Sequence, residues 1–240
     1  MKVLIYNEYV HESHDGPAKD MYPRGMHMAI SEGLQKIDDS LEFSYATLED
    51  HKDVITKEKL ADTDVLVWWG HMRHHLVDDD VVTLICEAVN QGMGLVVLHS
   101  GHESKVFRRL MGTRCGVEWY ERQDHGRIWI LDPTHPIAQG VPNPLEIEAE
   151  ETYAEPFTVP TPDELIGVTW WQGGEIFRGM SVYHRGLGRI FYFHPGHETL
   201  PSYYNPGVIR AIDNGIHYVA PRIRVDEVTS HHIEPHEPKY

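Results

Sequence analysis

The order of apolar runs along the chain predicts an α/β fold: a mostly parallel sheet flanked by helices, with a β-rich C-terminal half. Three observations carry this expectation. Short apolar runs alternate with helix-spaced patterns as far as Met111. Three of those runs, at residues 2–6, 64–69 and 94–98, are followed a little further on by a histidine: His11, His71 and His99. From about residue 115 the texture changes, with Trp, Tyr, Glu and Pro mixed and no helical period.

The elements follow in order. Residues 2–6 form a first strand, and a polar loop over residues 8–20 follows it. Tyr22-Pro23 then opens a helix with Met26, Ala29, Ile30 and Leu34 on one face. Residues 41–47 and 64–69 are the second and third strands. Residues 78–89 are a helix carrying Val81, Val82, Ile85, Ala88 and Val89, and Gly92 and Gly94 separate it from a fourth strand at 94–98. Ser100-Gly101 leads into a helix at 103–111. Strands are expected at 127–131, 145–149, 165–171, 176–183 and 189–193, with turns at Gly173-Gly174 and Gly186-Leu187-Gly188. A last helix over 206–219 uses Val208, Ile209, Ile212, Ile216 and Val219 to cover the sheet, and Pro221 ends it. This reads as one domain over 1–220, with a mobile tail at 221–240 that contains His231, His232 and His236.

Composition narrows the function. With 21 basic against 37 acidic side chains the net charge is −16, which repels phosphate backbones and anionic lipid, so neither nucleic acid nor membrane is an expected partner. No apolar run approaches a membrane span, and the N-terminus turns polar too soon for a signal peptide. Cys86 and Cys115 have no disulfide or zinc-finger spacing. A cytoplasmic location is expected, and proteins of this size class are commonly homo-oligomers.

In an open α/β sheet the carboxyl ends of the strands form the ligand crevice, so histidines at several strand ends are expected to converge. In the sheet order 2-1-3-4 that crevice opens between His11 and His71. The segment Phe193-His194-Pro195-Gly196-His197-Glu198 adds a ligand or base beside a carboxylate. The expected ligands of a divalent metal, zinc with manganese or iron as alternatives, are His11, His71, His99 and His197. The expected catalytic groups are Glu198, His197 and His99. Trp69, Ser100, His102 and Glu12 are expected to contact substrate. His71 and His75 share helical spacing, and the membership of His74, His75 and His194 stays open. A Ser100–His197–Glu198 triad is conceivable, but Leu98 and His102 stand where a nucleophile elbow needs glycines. Trp68, Trp69, Trp119, Trp170 and Trp171 are divided between core packing and a sugar-stacking surface.

Taken together, Val67-Trp68-Trp69-Gly70-His71, Gly94-Leu95-Val96-Val97-Leu98-His99-Ser100-Gly101-His102, Gly174-Glu175-Ile176-Phe177-Arg178 and Pro195-Gly196-His197-Glu198 resemble the ThuA family, named for trehalose utilisation, over about residues 2–220. The resemblance implies a flavodoxin-like fold similar to class I glutamine amidotransferases. Those enzymes carry a cysteine nucleophile where His99-Ser100 stands here, so glutaminase chemistry is not expected. Many members of the ThuA family carry arginine at the position of His194, which favours His197 and Glu198 as site residues. The implied setting is carbohydrate catabolism, with trehalose, related disaccharides or their keto-derivatives as substrates. Two readings follow: a metal-dependent isomerase, epimerase or hydrolase acting on a sugar, or a non-catalytic sugar-binding or regulatory module.

Overall fold

A computed structural model describes residues 1–238; the last two residues of the expected tail lie outside the described residues. The chain runs β1 (Lys2–Asn7), α1 (Pro17–Met21), α2 (Met26–Gln35), β2 (Glu42–Thr47), α3 (His51–Val54), α4 (Lys57–Ala61), β3 (Val65–Trp69), α5 (Asp79–Asn90), β4 (Gly94–Leu98), α6 (Lys105–Met111) and β5 (Glu118–Ile130). It continues through β6 (Leu145–Ala154), β7 (Glu164–Trp171), β8 (Ile176–Arg185), β9 (Gly188–Phe193) and α7 (Pro206–Val219).

All nine strands join one sheet in the order β2-β1-β3-β4-β9-β8-β7-β5-β6. The pairings from β2 to β9 are parallel, and those from β9 to β6 are antiparallel. The expectation of a mostly parallel sheet is therefore corrected to a mixed one, whose antiparallel half holds the longer strands. The reason lies at β9. It lies parallel to β4, yet it is reached from β8 by the tight Gly186–Gly188 turn rather than by a crossover helix, and outward of it β7 pairs antiparallel with β8 and β5 lies antiparallel between β7 and β6. Gly186 sits at φ +57, and a Cβ there would lie 2.5 Å from Asn90 O, so the turn tucks against the end of α5.

The central strands are buried on both faces, and alternate residues feed two cores. Val65, Val67 and Trp69 face α2 and α7, whereas Leu66 and Trp68 face α5 and α6. Helix α7 begins where the Asn205 side chain accepts from Gly207 N and Val208 N, with Pro206 in the first turn. Its buried Val208, Ile212 and Ile216 each contribute roughly 1.5–3 kcal/mol of burial.

Two expectations shift. The helix expected from residue 103 is a 3-10 turn at His99–Glu103 followed by α6, whose N-cap Ser104 accepts from Phe107 N. The tail is held at its start: Val225 N donates to Gln91 O, Gln91 Nε2 donates to Asp226 O, and Arg224 donates to the carbonyls of Thr63 and Leu60. The expected mobile tail therefore does not begin at residue 221. No described helix is long and apolar enough to cross a membrane.

Candidate active site at the strand ends

Three buried glutamates fix the loops that carry the histidines. After β1, the Glu8 carboxylate accepts from the backbone N–H groups of His71, Met72 and Arg73 at 2.9, 3.1 and 2.8 Å, which shapes the loop after β3. Glu12 Oε1 accepts from Asn7 Nδ2 at 2.9 Å and Met26 N at 3.1 Å, which ties the His11 loop to the start of α2. From β6, Glu150 accepts from Gly196 N at 2.8 Å, His197 N at 3.1 Å and the Ser202 hydroxyl at 2.5 Å. Trp69 Nε1 donates to Gly196 O from the other side. A buried carboxylate with two or three donors is well compensated and rigidifies what it holds.

The four imidazoles converge as expected. His71 Nδ1 lies 3.1 Å from His11 Nε2 and 3.7 Å from Glu198 Oε2, and His197 Nε2 lies 3.7 Å from the same carboxylate oxygen. Ring centroids are 6.4 Å apart for His71–His99, 6.1 Å for His71–His197 and 5.8 Å for His99–His197. One donor atom from each of His11, His71 and Glu198 falls within 4.8 Å of the others. At His197, Nδ1 accepts from Thr199 N at 3.3 Å, with the Thr199 hydroxyl 3.0 Å away, so in the neutral ring the proton sits on Nε2, which faces Glu198.

His99 is placed differently. It follows β4 at φ +49, is fully buried, and donates from Nδ1 to His194 O at 2.9 Å. Its Nε2 lies 3.0 Å from Glu151 Oε2. Burial lowers the His99 pKa, but Glu151 and Glu150 outweigh burial and raise it to about 9. Burial is also the first influence on His71, which it pushes down to about 4, and the neighbouring His99 and His11 add to that while Glu198 opposes it. For Glu198 burial acts upward, but His71 and His197 prevail and hold it below the usual carboxylate value. Glu198 Oε2 is buried without a hydrogen-bond partner, whereas Glu151 Oε2 has His99 Nε2 against it. His71, held neutral, and the unpartnered Glu198 oxygen, with His11 and His197 beside them, form a donor set that suits a divalent cation.

The remaining candidates separate. His75 is exposed, whereas His74 is largely enclosed and pushed down to about 4 by burial. His194 is buried among Tyr153, Trp171, Phe177 and His99, with both ring nitrogens unpartnered, and burial drives its pKa well below the ordinary value. His102 donates from Nδ1 to Cys115 O and lines a cavity of about 350 Å³ together with His71, Ser100, Trp119, Glu121 and Tyr153. Trp69 is fully buried with its N–H engaged, and Glu12 is enclosed beside Asn7 and α2; both position loops instead of lining that cavity. Ser100 lines it, but its hydroxyl donates to Gly70 O at 2.8 Å, so no Ser100–His197–Glu198 triad is assembled. Trp68 and Trp171 are core residues as well. Reading the sequence missed Glu8, Glu121, Glu150, Glu151 and Tyr153. The available signal was the acidic pair Glu150-Glu151 directly after the alternating run of β6, where a strand that continues must bury charge.

Comparison with known proteins places this arrangement. A family model described as trehalose utilisation, ThuA, matches residues 2–219. A ThuA-like protein from Parabacteroides merdae superposes with a TM-score of 0.67 at 14% identity, covering 95% of this chain and 92% of that one. A ThuA-like protein from Bacteroides uniformis gives 0.61 at 16% identity, with 91% of each chain covered. A cytoplasmic protein from Salmonella typhimurium gives 0.61 at 13% identity, covering 92% of this chain and 100% of that one. At such identities the structural likeness establishes the fold alone. No curated protein matches the chain. The family match spans nearly the whole sheet and every histidine loop, and the chain therefore belongs to the ThuA family.

Proposed function

We propose that this chain is a metal-dependent enzyme of carbohydrate utilisation that converts a sugar, trehalose or a related keto-sugar, by isomerisation, epimerisation or hydrolysis. The observation that carries the reading is the meeting of His71 and His197 on the unpartnered, buried Glu198 Oε2, with His11 against His71 and the other oxygen of the same carboxylate. These four residues would hold a zinc, manganese or iron ion, and such an ion, when bound, polarises a sugar carbonyl or hydroxyl as a Lewis acid. Glu198, expected from the sequence as a proton carrier, stands among the ligands, so the proton work falls to the neighbouring pair. His99, expected both as ligand and as catalyst, fits the second role: its Nδ1 is committed to His194 O and its Nε2 faces Glu151. That pair holds a proton at the wall of the cavity, within reach of a bound hydroxyl.

The family supports the carbohydrate setting. A cytoplasmic homo-oligomer that takes a small sugar, and neither nucleic acid nor membrane, completes the proposal. The rival, a non-catalytic sugar-binding or regulatory module, draws on Ser100, whose hydroxyl is spent on Gly70 O and leaves the turn after β4 without a nucleophile. Metal analysis of protein purified without a nickel column decides the central point. Close to one ion per chain, lost in His71→Ala and His197→Ala, is expected; no ion, or an ion count unchanged in both variants, defeats the proposal. Sugar binding with no product detected would favour the rival.

A further inference from the structure

The cavity beside the histidines is one of two that abut. The larger, about 350 Å³, is walled by Met72, Val117, Trp119 and Tyr153; the smaller, about 230 Å³, by Arg122, Gln123, Thr199 and Leu200. Glu121 and Glu151 belong to both, with His71 on the large side and His197 on the small side. An irregularity in the β5–β6 hairpin builds this partition. Tyr120 pairs with Thr152 and Asp124 with Glu150, so three residues of β5, Glu121, Arg122 and Gln123, stand opposite Glu151 alone. Gln123 at φ +57 is part of that bulge, which thrusts the extra residues over the histidines.

The walls differ in chemistry. Trp119 and Tyr153 are directly paired across the hairpin, which puts both rings on one face, and Trp119 is 61% exposed. An exposed indole at the mouth of a cavity suits the apolar face of a pyranose ring. In the small lobe Arg122 is the one Arg or Lys lining either cavity among the described residues. Its guanidinium is already neutralised by Asp124, with Nη2 at 3.2 Å from both carboxylate oxygens. Glu103, Glu121 and Glu151 leave the lobes net acidic.

Resting on the sugar reading above, we infer that Trp119 and the Glu121–Gln123 bulge form a two-lobed recognition cleft for an unphosphorylated two-ring glycoside. One ring stacks on Trp119, the second lies in the Arg122 lobe, and the linkage crosses Glu121 and Glu151 beside the histidines. Small-molecule clefts typically span roughly 300–1000 Å³, so two adjoining lobes of these sizes accommodate two rings. Sugar phosphates are excluded by charge.

Calorimetric titration of the full chain with trehalose, methyl α-glucoside and trehalose 6-phosphate tests this without turnover, with the ion content of each protein measured alongside. Trehalose is expected to bind about tenfold tighter than the other two. Trp119→Ala should weaken trehalose and methyl α-glucoside alike, by about five- to tenfold, while Arg122→Ala should weaken trehalose only. Both side chains are largely exposed, and matching thermal melts will confirm that the variants fold. This pattern in a protein that holds no ion would defeat the catalytic proposal and uphold the cleft. Equal affinity for one ring and two, tighter binding of the phosphate, or trehalose affinity unchanged in Trp119→Ala would overturn the cleft whatever the ion content.

Discussion

The two halves of the sheet divide the labour. The parallel half, β2-β1-β3-β4-β9, ends its strands in loops that deliver His11, His71, His99 and His197. The antiparallel half, β8-β7-β5-β6, contributes no histidine to the cluster but supplies Glu121, Glu150, Glu151, Trp119 and Tyr153. Nitrogen donors thus come from backbone topology, which any sequence with this crossover order would bring together. Carboxylates and cavity walls come from a bulged hairpin that leans over the strand ends, and this is the part in which selectivity can change without disturbing the donors.

The largest expected effect lies where the halves touch. Glu150→Ala strips the acceptor from Gly196 N, His197 N and the Ser202 hydroxyl, and buried unsatisfied donors cost about 1–3 kcal/mol each. Chemical denaturation should show a loss of about 4 kcal/mol, together with loss of any bound ion. A loss below about 1 kcal/mol would mean that the halves are energetically independent. Next comes Ile212→Ala, inside the parallel half's core. It should cost about 2–5 kcal/mol and, in the stable fraction, leave ion content unchanged.

Acid should then weaken the fold. His74 and His102 are held neutral, at about 4 and about 3, chiefly by burial. Their folded pKa values lie below the unfolded one, so this contribution is complete above pH of about 6.5 and drains away as pH falls towards about 4 and then about 3. On the order of 3 kcal/mol is at stake at His74, and urea midpoints measured between those pH values check it. Flat stability over that window would contradict the burial argument. Smallest is Trp119→Ala, on the exposed side of the hairpin, which should change stability by less than about 0.5 kcal/mol while altering ligand affinity.

The same division explains what the sequence could tell. In the parallel half, β4 and α7 fall at the residues expected from periodicity, and β1 and β3 end within a residue of expectation. Strands buried on both faces are unbroken apolar runs, and their histidines stand out just beyond them. In the antiparallel half β5 begins at Glu118, well before the expected residue 127, because Glu121–Gln123 loop out and destroy the alternation that marks a strand. With that strand misplaced, Glu121 and Glu151 had no visible relation to the histidines. Trp69 and Glu12 depart from expectation for another reason: sequence position puts them near the crevice, but the fold spends the indole N–H on Gly196 O and turns the carboxylate to the start of α2.

The claim on which the rest depends is that the strand ends make a cation site. Crystals grown with manganese and measured for anomalous scattering test it most directly. The account predicts one strong peak about 2.0–2.3 Å from donor atoms of His11, His71 and Glu198, with His197 turned towards it. No peak there, or one bound elsewhere with the imidazoles hydrogen-bonded among themselves, would contradict it.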